Sequence, residues 1–130
     1  MPDLWDVDHW VEEAALLPIT KFYPSAITSS TSVPVQDVFH KLLTFVQEDR
    51  LFVRWQIICQ SYDCVRTIAE VDDIHESVGS VVHCYFCEEE YEISTDMLCP
   101  VFGFKQHFRE KIRQRAKKKH HLLHRPGQRF

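Results

Sequence analysis

Cys59, Cys64, Cys84 and Cys87 stand in the spacing C-x4-C-x19-C-x2-C, two close pairs of soft ligands separated by a hairpin's length of chain. That arrangement predicts a tetrahedral zinc site. Zn²⁺ accepts four thiolates at about 2.3 Å without imposing a geometry of its own, and such a site is closed, leaving no position for a substrate. The expected cofactor is therefore one structural zinc ion per chain. Buried free thiols, a disulfide or an iron-sulfur site are the alternatives that the same cysteines allow.

Neighbouring residues bear on the ligand set. His83 adjoins Cys84 and His75 lies between the two pairs, so either is a candidate to replace one cysteine. Cys99, in Leu98-Cys99-Pro100-Val101, sits in an apolar setting and reads as a core thiol. Four thiolates around Zn²⁺ leave a formal charge of about -2. Arg66 and His83 are candidates to offset it. Tyr62, Tyr85 and Phe86 fall inside the cysteine turns and are candidate partner-binding residues.

The elements that must hold these cysteines can be read from periodicity. Asp8 suits the cap of a short helix running to about Leu17, and Pro18 interrupts it. Residues 18–34 read as a polar connector, mobile over Thr28 to Ser32. Val35, Val38, Phe39, Leu42, Leu43, Phe45 and Val46 predict an amphipathic helix from Pro34 to Glu48. Leu51 to Cys59 is a strand by its aromatic and β-branched content. Alternation predicts further strands at Val65 to Val71 and Val81 to Phe86, forming a hairpin with the thiolates at its base, and a short one at Tyr91 to Ile93. Phe104, Phe108 and Ile112 open a last helix whose apolar stripe then fades. The class is α+β: a helical part (1–50, with the linker 18–34), a β part bearing the cysteines (51–98), and a C-terminal helix with a basic tail (99–130).

Charge is divided along the chain. Residues 105–130 hold ten of the fifteen Lys and Arg and a single acid, Glu110, for a formal +9, whereas the preceding 104 residues carry -13. Lys111, Arg113, Arg115, Lys117, Lys118 and Lys119 are dense enough to attract phosphates by counterion release, which makes them candidate nucleic-acid-binding residues. No aromatic follows Phe108 until Phe130, so base stacking is poorly provided for. The same opposition of charge allows the tail to meet an acidic protein surface, including another copy.

Enzymatic chemistry finds little to stand on. Three glycines, Gly79, Gly103 and Gly127, cannot build a phosphate-binding loop, and no His-Glu-x-x-His, zinc-deaminase or Gly-x-Ser-x-Gly pattern occurs. The acids around Asp72-Asp73 and Glu88-Glu89-Glu90 read as solvated faces. No apolar run reaches membrane-spanning length, and Met1 to Asp6 lacks the pattern of a signal peptide. With five cysteines, an odd number, a cytoplasmic protein binding metal is expected in preference to a secreted disulfide framework.

From Pro34 to Cys87 the order of amphipathic helix, Glu48-Asp49-Arg50-Leu51 turn, aromatic-rich strand, C-x4-C and C-x2-C resembles a winged-helix element running into a zinc ribbon. The resemblance covers about half the chain and implies a metal-stabilised platform of the kind found in small accessory or adaptor subunits, some of which bind DNA or RNA. One departure stands out. The long helix offers only His40 and Lys41 as cations against Asp37 and Glu48, a poor recognition surface for a phosphate backbone. A non-enzymatic module that binds a partner protein through its acidic body is therefore the primary expectation, and a nucleic-acid-binding regulator using the tail the second.

Overall fold

The structure, a computed structural model, describes the backbone of residues 4–123 and side chains through residue 118. It is α+β: helices α1 (Leu4–Ala15), α2 (Pro24–Thr31) and α3 (Val35–Gln47) come first. Strands β1 (Leu51–Ile58) and β2 (Thr67–Val71) follow, then a short helix α4 (Ile74–Ser77). Strands β3 (Val81–His83), β4 (Glu90–Glu92) and β5 (Leu98–Phe104) lead into the last helix, α5 (Gln106–Leu123). The chain divides into two compact units, Met1–Phe52 with Gly103–Phe130, and Val53–Phe102.

The first unit is helical. Val7, Val11 and Ala14 recur at helical spacing on α1, Val38, Leu42 and Phe45 on α3, and Phe108 and Ile112 on α5, and all are buried. α1 contacts α2, α3 and α5. Asp8 is not a cap: the helix begins four residues earlier, and the Asp8 carboxylate instead pairs with Lys41 of α3 at 3.7 Å.

The expected mobile connector is a correction. Residues 24–31 form α2, because Pro24 suits a first helical turn and Ile27, fully buried, gives the Ser/Thr-rich stretch an apolar anchor. Thr31 Oγ1 donates back to the Ile27 carbonyl at 2.7 Å, and Ser32 closes the helix in the left-handed region at φ 66°. Arg109 ties this unit together. Its guanidinium lies 4.6 Å from the ring centroid of Phe104 and donates to the carbonyls of Leu17 and Ile19. Gly103 allows close packing, since a Cβ there would collide with the ring of Phe52.

The second unit is built on antiparallel strands, and here the expected pairing is also corrected. β1 pairs with β2, with Trp55 opposite Val71 and Ile57 opposite Ala69, and β3 pairs with β4, with Val82 opposite Tyr91. The segments 65–71 and 81–86, expected to pair with each other, belong to different hairpins. Each cysteine pair therefore occupies the turn of its own hairpin and not the base of a shared one. Asp72 to Gly79, read as turn, contains α4, whose Asp73 side chain accepts the His75 amide. Ile57, Ile93 and Met97 form a buried core, flanked by Ile68, Val71, Val82, Tyr91 and Leu98.

Candidate metal centre

The two cysteine turns are built alike. In the first, the Cys59 amide donates to the Arg66 carbonyl at 2.8 Å; in the second, the Cys84 amide donates to the Glu89 carbonyl at 2.9 Å. In both, the first cysteine closes its hairpin on the residue two places beyond the second cysteine. The residue directly after the second cysteine, Val65 or Glu88, takes a left-handed conformation, with φ of 50° and 63°. That reversal carries the chain back along the hairpin while both sulfurs of the turn face one point. Nothing in the periodicity marks those two positions, and neither residue is the glycine that such a conformation favours.

The four sulfurs converge, all lying within 4.8 Å of one another. Two close approaches cross between the hairpins: Cys59 to Cys87 at 3.5 Å and Cys64 to Cys84 at 3.6 Å. These are far beyond a disulfide bond of about 2.05 Å, so the cysteines are free thiols. They are close to the edge of about 3.8 Å that four sulfurs at about 2.3 Å from a common centre would make. Cys59 and Cys84 are buried and Cys64 and Cys87 half-buried. The arrangement can hold a metal ion and is compatible with zinc.

The electrostatics divide each crossing pair into an acid and a base. Burial pushes the Cys59 thiol up, but the Tyr91 hydroxyl, the Ser61 amide and the neighbouring thiols outweigh it and bring Cys59 down to about 6. The Glu89 amide lowers Cys87, yet burial and the adjoining Cys59 and Cys84 sulfurs prevail, so that Cys87 is pushed up to about 12. Cys84 is lowered, its burial outweighed by the Cys87 and Phe86 amides, whereas burial and the Cys84 and Cys59 sulfurs raise Cys64 despite the Arg66 amide. Each sulfur has a backbone amide two residues on among its stabilising contacts: Ser61, Arg66, Phe86 and Glu89. Within each crossing pair, one sulfur thus gives up its proton more readily than the other: Cys59 before Cys87, and Cys84 before Cys64.

Tyr91 is the residue that sequence reading missed. Its hydroxyl lies 3.4 Å from Cys59 Sγ and donates when that sulfur is a thiolate. Only its register on β4, opposite Val82, carries it there. The charge-offsetting roles expected of Arg66 and His83 fall elsewhere: the Arg66 guanidinium stacks 4.5 Å over Phe86, and His83 meets the Tyr85 ring edge-on. His75 and Cys99 lie outside the converging set among the described residues. Cys99 is half-buried on β5, and burial pushes its thiol up.

The other candidate residues are placed as follows. Tyr62 is 95% exposed, Tyr85 83% and Phe86 59%, so these rings do not shield the sulfurs from solvent. Lys111, Arg113, Arg115, Lys117 and Lys118 are exposed on α5, with Arg115 pairing to Glu12 of α1 at 3.5 Å; the Lys119 side chain lies outside the described residues. No described helix is long and apolar enough to cross a membrane.

No protein-family model matches the chain, and no curated protein or solved structure matches it. No relative therefore supports the winged-helix and ribbon resemblance; what the structure bears out is the clustering of Cys59, Cys64, Cys84 and Cys87, compatible with zinc.

Proposed function

We propose that the protein is a non-enzymatic interaction module whose second unit is stabilised by one zinc ion held by Cys59, Cys64, Cys84 and Cys87, and which binds a partner protein through that acidic unit. The observation that carries the reading is the convergence of four thiols, from two turns of like construction, within 4.8 Å. When bound, zinc supplies structural cross-linking, with apparent binding energies of about 10 to 16 kcal/mol, as large as the whole net stability of a typical domain. The residues around it do the rest. Amides of Ser61, Arg66, Phe86 and Glu89 and the Tyr91 hydroxyl stabilise thiolate charge, and Tyr62, Tyr85 and Phe86 stand exposed on the cysteine turns. Exposed aromatics on a rigid turn are the anchors from which interfaces are made. A closed four-thiolate site leaves no open coordination position for catalysis.

Elemental analysis with thiol titration tests it. One zinc per chain is expected, with one thiol, Cys99, reactive before chelation and five after. Five thiols free at once, with no metal, would sink the proposal.

A second reading, a nucleic-acid-binding regulator, is favoured by one observation: α5 displays Lys111, Arg113, Arg115, Lys117 and Lys118 on its exposed surface. Removing residues 113–130 should abolish any salt-sensitive nucleic-acid binding. If binding is unchanged by that truncation, the second reading fails.

A further inference from the structure

The two units carry opposite charge, and each leaves it exposed. Residues 53–102 contain ten acids against Arg54 and Arg66, a formal -8, while the remainder of the chain sums to +4. Among the described residues, only Glu70 and Asp72 are neutralised, both by Arg54, at 3.4 and 2.8 Å. The other eight acids are exposed and have no ion-pair partner among the described residues. Five of them, Asp63, Glu88, Glu89, Glu90 and Glu92, lie in or beside the cysteine turns, where Tyr62, Tyr85 and Phe86 are exposed.

α5 presents the complement. Lys111, Arg113, Lys117 and Lys118 are exposed and likewise without an ion-pair partner among the described residues. Residues 111 and 118 are two turns apart, about 10 Å at 1.5 Å per residue. Glu90 and Glu92, on one face of β4, are about 7 Å apart. A helix bearing four cations can therefore lie across the acidic turn with several charges in register, and its cationic heads can sit over the exposed rings as Arg66 already does over Phe86 at 4.5 Å.

We propose that the partner of the cysteine-turn face is a second copy of this chain, whose α5 docks on Tyr62, Tyr85, Phe86 and the Glu88–Glu92 carboxylates. This names the partner of the surface under Proposed function and rests on that reading. Each copy carries one face of each sign, so two copies can exchange α5 reciprocally as a closed pair or continue head to tail into longer assemblies. Nucleic acid is the wrong occupant for the acidic face, since its phosphates would meet the five uncompensated carboxylates of the cysteine turns. Ring faces and carboxylates together suit a cationic helix, and this chain carries one.

Sedimentation velocity on the zinc-loaded full chain tests the proposal. In about 50 mM salt the weight-average mass should rise with concentration from the monomer to the dimer or larger; in about 500 mM salt, where screening is several-fold shorter in range, the monomer should return. Glu88→Lys/Glu89→Lys/Glu90→Lys and, separately, Lys111→Glu/Arg113→Glu/Lys117→Glu/Lys118→Glu should each be monomeric. Mixing the two restores complementary faces and should restore association. Tyr62→Ala/Tyr85→Ala/Phe86→Ala should weaken self-association at least tenfold at unchanged net charge. Metal content and circular dichroism accompany every variant. A monomer at low salt with one zinc bound overturns the self-association but leaves the zinc-module reading standing, and absence of metal overturns both. Association that the ring substitutions do not weaken, or that the mixed charge-reversed variants do not recover, also overturns it.

Discussion

Val65 and Glu88 occupy equivalent places: each follows the second cysteine of its hairpin, and each holds a positive φ, 50° and 63°. A β-branched residue is the least suited of the two to that conformation, whose cost is about 1 to 2 kcal/mol for a side chain bearing a Cβ. Val65 is 62% exposed, so little burial compensates it. Val65→Gly should therefore raise stability by about 1 kcal/mol, read as a higher denaturation midpoint at unchanged zinc content. An unchanged or lowered midpoint would show that the Val65 side chain contributes more than its backbone strain costs.

The Tyr91 hydroxyl stands 3.4 Å from Cys59 Sγ. Tyr91→Phe keeps the ring against the β core and removes the donor. Zinc affinity, measured by competition with a chromophoric chelator, should fall about 10-fold, within the range for loss of a partner to a metal ligand. Helicity should be unchanged.

Metal binding should release protons. Cys64, raised, and Cys87, at about 12, both hold their protons at pH 7.5, whereas Cys59, at about 6, is already ionised. At least two protons should therefore leave per zinc bound, and apparent affinity should rise steeply as pH increases and fall as it decreases. Calorimetry in two buffers of different ionisation enthalpy gives the number directly. Release of fewer than one proton would contradict the division of charge within the pairs.

Arg109 donates to the Leu17 and Ile19 carbonyls and lies over Phe104, contacts that only a planar guanidinium makes together. Arg109→Ala should lower stability by about 3 kcal/mol, and the melting temperature by about 10 °C. Arg109→Lys should recover under half of that loss. Substituting the exposed Arg113 should shift the melting temperature by about 1 °C or less.

The cysteine spacing alone announced the site, because ligand type and separation are both written in the chain. α3 was legible for a related reason: its apolar residues repeat over three turns, and Val38, Leu42 and Phe45 are indeed buried. α2 was not, since Ser and Thr dominate it and its helicity depends on Ile27 finding a core that local sequence does not reveal. Strand pairing failed differently. Alternation at 65–71 and 81–83 identifies strands but says nothing about partners, and β1 and β4 claimed them. Tyr91 owes its role to that same pairing. The charge division of the chain was plain from composition, whereas only the fold shows that most of the acids of residues 53–102 have no ion-pair partner among the described residues.

The helical unit is made from both ends of the chain, Met1–Phe52 and Gly103–Phe130, while the cysteine-bearing unit is a single uninterrupted stretch. During synthesis, α1, α2 and α3 emerge well before Phe104, Phe108 and Ile112, which complete their buried set. All four cysteines leave the ribosome in that interval, so the metal can be captured while the helices still wait for their closing segment. A nascent chain starved of zinc would then prolong the exposure of two unfinished apolar faces instead of one, and the availability of the ion at that moment would govern how much newly made protein is lost to aggregation.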